Sequence, residues 1–167
     1  MSHLNFLPEL ESIARDAGAV IMEVYESDDF GTTTKDDEHN SPLTKADTAA
    51  SALIEKRLGA ISDYPIVSEE NDTRNSIGPF WLVDPLDGTK EFVKRGGDFT
   101  VNIALIEDGS PVLGVVFSPV LETMYVGDVQ ARVAYKVVGD KKTSIIAEAK
   151  NDMPVVVASK SHKNQET

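Results

Sequence analysis

No cysteine occurs among the 167 residues. That removes disulfide frameworks, thiolate zinc sites and cysteine nucleophiles, and makes the cytoplasm the default compartment, with peripheral membrane association left open. Basic residues are scarce too: 16 Lys and Arg stand against 28 Asp and Glu, a formal charge of −12. Such a balance argues against a nucleic-acid backbone or an anionic membrane surface as the main partner and suits a divalent cation. An anionic substrate would need bound metal to reverse the local field first. No apolar run approaches membrane-spanning length, and residues 1–30 lack the basic start and continuous apolar core of a signal peptide. The three histidines, His3, His39 and His162, have no partners at ligand spacing and read as solvated surface residues. There is no internal repeat and no Walker-type or dinucleotide glycine loop. The length suits one well-packed domain and is too short for two ordinary ones.

The stretch that organises the chain is residues 80–89, Phe-Trp-Leu-Val-Asp-Pro-Leu-Asp-Gly-Thr. Residues 80–83 have the character of a strand buried on both faces, which delivers Asp84 at its C-terminal end. Pro85 has no N–H to donate and is expected to end the ladder, while Gly88 permits a conformation that a side chain would block. Asp84 and Asp87 therefore share one sharp turn. Like charges gathered there repel unless a cation or proton neutralises them. Thr89 follows where a helix can begin, a natural seat for phosphate beside a cation. The alternative is a merely polar turn, since Asp, Pro and Gly are common turn residues.

Leu7, Leu10, Ala14, Ala17, Ile21 and Val24 recur at helical spacing, so a first amphipathic helix should end near Tyr25 or Glu26, with Asn5 as its cap and Pro8 in its first turn. Residues 27–43 lack periodicity and read as a long loop able to hold a short strand pair. A second helix is expected from about residue 45 to residue 58, capped by Thr44, with Ala49, Ala52, Leu53, Ile54 and Leu58 facing inward. Asp47 falls in its first turn, where complementarity to the helix dipole is the simplest explanation. Ile66 and Val67 form a short strand ending in Ser68, Glu69 and Glu70. Those carboxylates read as a solvated face unless this strand neighbours the one before Asp84, in which case their ends converge.

Residues 91–93 suggest a helical turn, broken at residues 95–98. Phe99, Val101, Ile103 and Leu105 alternate with Thr100, Asn102, Ala104 and Ile106. Residues 107–110 are a hairpin signal, and residues 112–117 the partner strand. Residues 124–126 and 133–138 read as further strands, with turns at Gly127-Asp128 and Gly139-Asp140. The fold class is α+β, a layered sandwich with N-terminal helices on a mainly antiparallel sheet. Residues 155–158, Val-Val-Val-Ala, look like a parallel-type strand whose covering helix and neighbours the chain never provides.

The run Asp84-Pro85-Leu86-Asp87-Gly88-Thr89, preceded by Trp81-Leu82-Val83 and by Ser68-Glu69-Glu70, resembles the inositol monophosphatase-like superfamily of magnesium-dependent, lithium-sensitive phosphatases. Lys90-Glu91-Phe92, residues 99–106 and Gly114-Val115-Val116 look most like its CysQ-type 3'(2'),5'-bisphosphate nucleotidase branch. Inositol monophosphatases usually read Thr-Asn-Phe at the first of these places. The resemblance implies that Glu69, Asp84, the carbonyl of Leu86, and Asp87 ligate two or three magnesium ions, with lithium as an inhibitor. It further implies that Asp47 and Thr89, with Glu69, hold or activate the attacking water, and that Gly88 and Thr89 contact phosphate. Glu70 is a more remote carboxylate of the same set. The implied reaction is phosphomonoester hydrolysis, with adenosine 3',5'-bisphosphate as the favoured small-molecule substrate. Inositol or sugar phosphates are the alternative within enzymes, and a non-catalytic metal-binding module the alternative outside them.

Family members continue for roughly another hundred residues, a domain-sized piece. The expected organisation is therefore residues 1–152 as the metal-binding α+β domain and residues 153–167 as the start of a truncated α/β domain, with self-association through that edge. Low activity of the chain by itself is part of the same expectation.

Overall fold

The structure is a computed structural model describing residues 5–27, 29–34, 42–69 and 78–147. Two helices, α1 (Leu7–Glu26) and α2 (Lys45–Ile61), pack against each other over one face of a seven-stranded sheet. In α1 the apolar stripe is buried as its spacing predicts: Leu7, Leu10, Ala14, Ala17 and Ile21, with Ile13 added. Gly18 lets the helix approach the sheet closely, since a Cβ there would sit 2.5 Å from Phe117 Cε1. The helix starts after Phe6 with Pro8 in its first turn, but no side chain caps it, so Asn5 does not play that part.

The α2 face is rotated from the expected one. Ala46, Asp47, Ala50, Ser51, Ile54 and Leu58 are buried, whereas Ala49 and Ala52 are exposed and Leu53 is half-buried. Alanine is indifferent enough to burial that the two large residues, Ile54 and Leu58, set the face, and the positions one and two turns back follow them inward.

A two-stranded pair, β1 (Thr33–Thr34) with β2 (Pro42–Leu43), occupies the expected loop. The main sheet runs in chain order through β3 (Ile66–Ser68), β4 (Phe80–Asp87), β5 (Thr100–Glu107), β6 (Ser110–Ser118), β7 (Thr123–Asp128), β8 (Val133–Val138) and β9 (Lys141–Ser144). Only β3 and β4 are parallel; the rest is an antiparallel meander. A short helix, α3 (Thr89–Val93), follows β4 directly.

Three expectations for the sheet fail in instructive ways. Strand β4 is buried on one face only: Trp81 is 0% exposed and Leu82 44%. Among the described residues the two long helices cover one side of the sheet, so a run of four apolar residues alternates all the same. Pro85 does not end the strand either. The ladder continues to Asp87 with a register shift between Asp84 and Asp87, the kind of irregularity that accommodates a residue lacking N–H. Gly127 and Asp128 belong to β7, the reversal falling at residues 129–132, and β9 follows the turn at Gly139-Asp140. The 107–110 hairpin is as expected, with Asp108 and Gly109 both at positive φ, 48° and 72°.

Side chains fasten the layers. Phe92 and Phe99 meet Tyr25 with ring centroids 5.1–5.3 Å apart, packing α3 and the start of β5 against the end of α1. Trp81 Nε1 donates to Ser62 Oγ at 2.7 Å, and Tyr135 Oη to Glu11 Oε1 at 2.5 Å. Arg57 on α2 reaches Asp16, Glu9 and Ser12 on α1. The strand expected at residues 155–158 lies outside the described residues, as do His3, His39, His162 and Glu70.

Candidate metal centre

The site begins with strand direction. Because β3 and β4 run parallel with Ser68 opposite Val83, their C-terminal ends emerge side by side, and Glu69 N–H donates to Val83 O at 3.1 Å. Glu69 is thereby held next to Asp84, the convergence that parallel neighbours require. The irregularity in β4 then turns the chain so that Asp87 joins them. Asp84 is half-buried, whereas Glu69 and Asp87 are exposed.

Electrostatics show what this costs without a cation. The Asp84 carboxyl is pushed up from 3.8 to about 7, by burial first and then by the charges of Glu69 and Asp87 and a hydrogen bond shared with Glu69, against the Leu86 N–H, which favours the ionised form. That N–H donates to Asp84 Oδ1 at 3.2 Å. Gly88 makes the turn possible. Its φ of 95° is left-handed, and a Cβ would lie 2.7 Å from Asp98 O.

A second group of residues assembles beside the first. Thr44 caps α2: its Oγ1 accepts from Ala46 N–H at 3.2 Å, while its own N–H donates to Asp47 Oδ2 at 2.8 Å. The Thr44 hydroxyl also lies 2.5 Å from Asp47 Oδ2, in position to donate to it. Asp47 is 1% exposed, far more deeply placed than dipole complementarity demands. Its other oxygen, Oδ1, is 3.2 Å from Thr89 Oγ1, which is itself 3.1 Å from Leu86 O. One hydroxyl proton thus faces two acceptors, the buried carboxylate and the carbonyl of the acidic turn.

Glu69, Asp84, Leu86, Asp87, Gly88, Thr89 and Asp47 are accordingly neighbours in space. Among the described residues, no three acidic or histidine side chains already stand at the spacing of a closed cation shell. The donor set nonetheless fits a hard dication. It is all oxygen, three carboxylates and a carbonyl, and the negative charges of Glu69 and Asp87 add to burial in raising Asp84.

Sequence reading missed two members. Asn102 on β5 stands opposite Asp84 and donates through Nδ2 to Asp87 Oδ2 at 3.1 Å, and Thr100 pairs with Asp87. Their alternation with buried Val101 and Ile103 was visible, but the register that sets them against β4 was not.

A family model described as the inositol monophosphatase family matches residues 5–166. The 3'(2'),5'-bisphosphate nucleotidase CysQ of Salmonella typhimurium is 43% identical over 166 residues, covering 96% of this chain and 65% of that protein. The crystal structure of CysQ from Bacteroides thetaiotaomicron superposes with a TM-score of 0.78 at 35% identity, over 95% of this chain and 64% of that one. Extragenic suppressor protein suhB from Bartonella henselae shares the fold, with a TM-score of 0.69 at 24% identity over 79% of this chain and 52% of its own. The chain spans about 65% of the length of the curated relatives it matches.

Proposed function

The chain belongs to the inositol monophosphatase family, and from that premise we propose that Glu69, Asp84, the Leu86 carbonyl and Asp87 hold magnesium for phosphomonoester hydrolysis, with a 3'(2'),5'-bisphosphate nucleotide as substrate. The family is in general magnesium-dependent and lithium-sensitive. The observation that carries the reading is the gathering of three carboxylates at the ends of β3 and β4, with Asp84 pushed up to about 7. A protein keeps such a repulsive cluster when something positive binds there.

Bound magnesium would supply charge neutralisation on the phosphoryl oxygens and a more acidic water. The chain's own groups supply position and proton handling. Thr89 Oγ1 can pass its hydrogen bond to Asp47 Oδ1, which leaves the hydroxyl oxygen free to accept from a water. Asp47 is fixed in turn by two donors from Thr44 on its other oxygen. Glu69, on the open side of the cluster, is the further carboxylate able to receive a water proton. Gly88 and the start of α3 bring backbone against the position assigned to phosphate.

Nucleotide rather than inositol phosphate follows from Lys90-Glu91-Phe92 and from the CysQ relatives, which are named as bisphosphate nucleotidases. The test is kcat/KM for adenosine 3',5'-bisphosphate against inositol 1-phosphate with magnesium. The nucleotide should be preferred by about tenfold or more, since a site that pairs with polar groups of its substrate rejects a ligand lacking them. The reverse order moves the assignment to the inositol phosphates. Loss of turnover with retained metal binding marks a non-catalytic module.

The organisation that goes with this proposal is residues 1–152 as the metal-binding domain, with residues 153–167 opening another. The edge through which copies would associate lies outside the described residues. Among those described, no helix is long and apolar enough to cross a membrane. A cytoplasmic location is part of the proposal.

A further inference from the structure

We propose that Asn102 is a positioning residue that orients Asp87 for the cation, acting through the carboxylate rather than by touching metal or substrate. The inference rests on the metal reading above and adds a residue to it. Asn102 lies directly across from Asp84 in the β4–β5 ladder, and Thr100, two residues before it, lies across from Asp87. Three steps along β4, from Asp84 to Asp87, thus answer two steps along β5, and the extra residue swings Asp87 back within reach of Asn102. Asn102 Nδ2 donates to Asp87 Oδ2 at 3.1 Å, and Asn102 Oδ1 accepts from Thr100 Oγ1 at 3.0 Å. An ionised carboxylate only accepts, so the nitrogen must face Asp87; the Thr100 hydroxyl, donating to the amide oxygen, supports the same orientation.

The chemistry suits the place. Next to three acidic groups, a lysine would neutralise the charge that a dication needs, and another acid would add repulsion. An amide supplies a donor with no net charge. It occupies one oxygen of Asp87 and leaves Oδ1 as the oxygen not engaged by Asn102. Holding a ligand in one orientation before the cation arrives lowers the ordering cost of binding, the part that partners behind a metal ligand commonly play.

The test uses the 167-residue chain with manganese(II) as the probe, free ion being read by electron paramagnetic resonance, and magnesium as competitor. Asn102→Leu should weaken the cation by about tenfold or more, as losing such a partner typically does. Thr100→Val should weaken it less, and Asn102→Gln, which keeps an amide, should recover part of the loss. With magnesium at saturation, kcat of an active form should return close to the unsubstituted value, because Asn102 touches no reacting atom. Asp87→Asn is the reference. If it binds weakly while Asn102→Leu and Thr100→Val bind as tightly as the unsubstituted chain, the positioning role is wrong. A kcat that stays low at saturating metal with unchanged affinity also overturns it. If Asp87→Asn itself leaves affinity intact, the metal reading has failed and this inference falls with it.

Discussion

Thr89 Oγ1 lies 3.2 Å from Asp47 Oδ1 across 42 positions of sequence, joining the first turn of α2 to the first residue of α3. The contact unites two elements whose other duties are structural: Asp47 closes the cap of α2, and Thr89 starts the helix after the acidic turn. Removing the hydroxyl should therefore injure chemistry more than folding. Thr89→Ala is expected to cost about a hundredfold or more in kcat, in the range of a lost proton-handling group, with a small change in melting temperature. Thr89→Ser should keep most of the activity. Similar kcat for the alanine and serine variants would remove Thr89 from the proton path.

Asp47→Asn tests the other half of that contact and should show a double effect. An amide can still accept from the Thr44 N–H through its oxygen, but it cannot take a proton. Stability should fall by about 1 kcal/mol, as for a damaged helix cap, and activity by far more. Denaturant titration beside steady-state kinetics separates the two. A loss of activity no larger than the stability change predicts would make Asp47 a cap and nothing else.

Gly88 carries a backbone prediction. At φ 95°, with Asp98 O only 2.7 Å from the place of a Cβ, even alanine must strain the chain and push on a backbone atom that has little room to yield. Gly88→Ala should destabilise by about 1–3 kcal/mol and weaken cation binding together, because the same turn presents Asp87 and the Leu86 carbonyl. Unchanged stability, measured by thermal unfolding without metal, would show that the turn relaxes freely.

Much of this was legible from residue types alone. The stripe of α1, the Thr44 cap, the hairpin at residues 107–110 and the strand before Asp84 all follow from periodicity and turn chemistry, which are local. What escaped was set by partners distant in sequence. Burial of α2 depends on how Ile54 and Leu58 meet the sheet, so its alanines could not announce their face. Passage of β4 through Pro85 depends on the bulge opposite β5, and Asn102 matters only because the register sets it across from Asp84. The contact of Asp47 with Thr89 likewise joins residues 42 positions apart. Carboxylates that converge from two strands could be named as candidates, but their convergence hung on β3 and β4 being parallel neighbours, which no local pattern encodes.

Asp84 makes the metal-free fold sensitive to pH in a direction opposite to that of a salt-bridged carboxylate. Its pKa is 3.8 ordinarily and about 7 in the fold, through burial first and then the charges of Glu69 and Asp87. Between those values the folded chain holds a proton that the unfolded chain has released, so raising the pH must strip it and stability falls. The loss begins above about pH 4, is complete above about pH 7, and is absent in acid. A bound dication replaces the proton and should flatten the curve, stabilising most at alkaline pH and least in acid, where it competes with the proton. Asp84→Asn should also abolish the fall and leave the metal-free chain more stable than the unsubstituted one at about pH 8, while binding magnesium poorly. Asp87→Asn should shift the same way by a smaller amount, since its charge is the lesser of the two neighbours' contributions. Urea titrations from about pH 5 to about pH 8, in chelator and in magnesium, measure all of these curves. If stability in chelator rises with pH over that range in the unsubstituted chain and Asp84→Asn leaves the slope unchanged, Asp84 is not the protonated centre of the cluster.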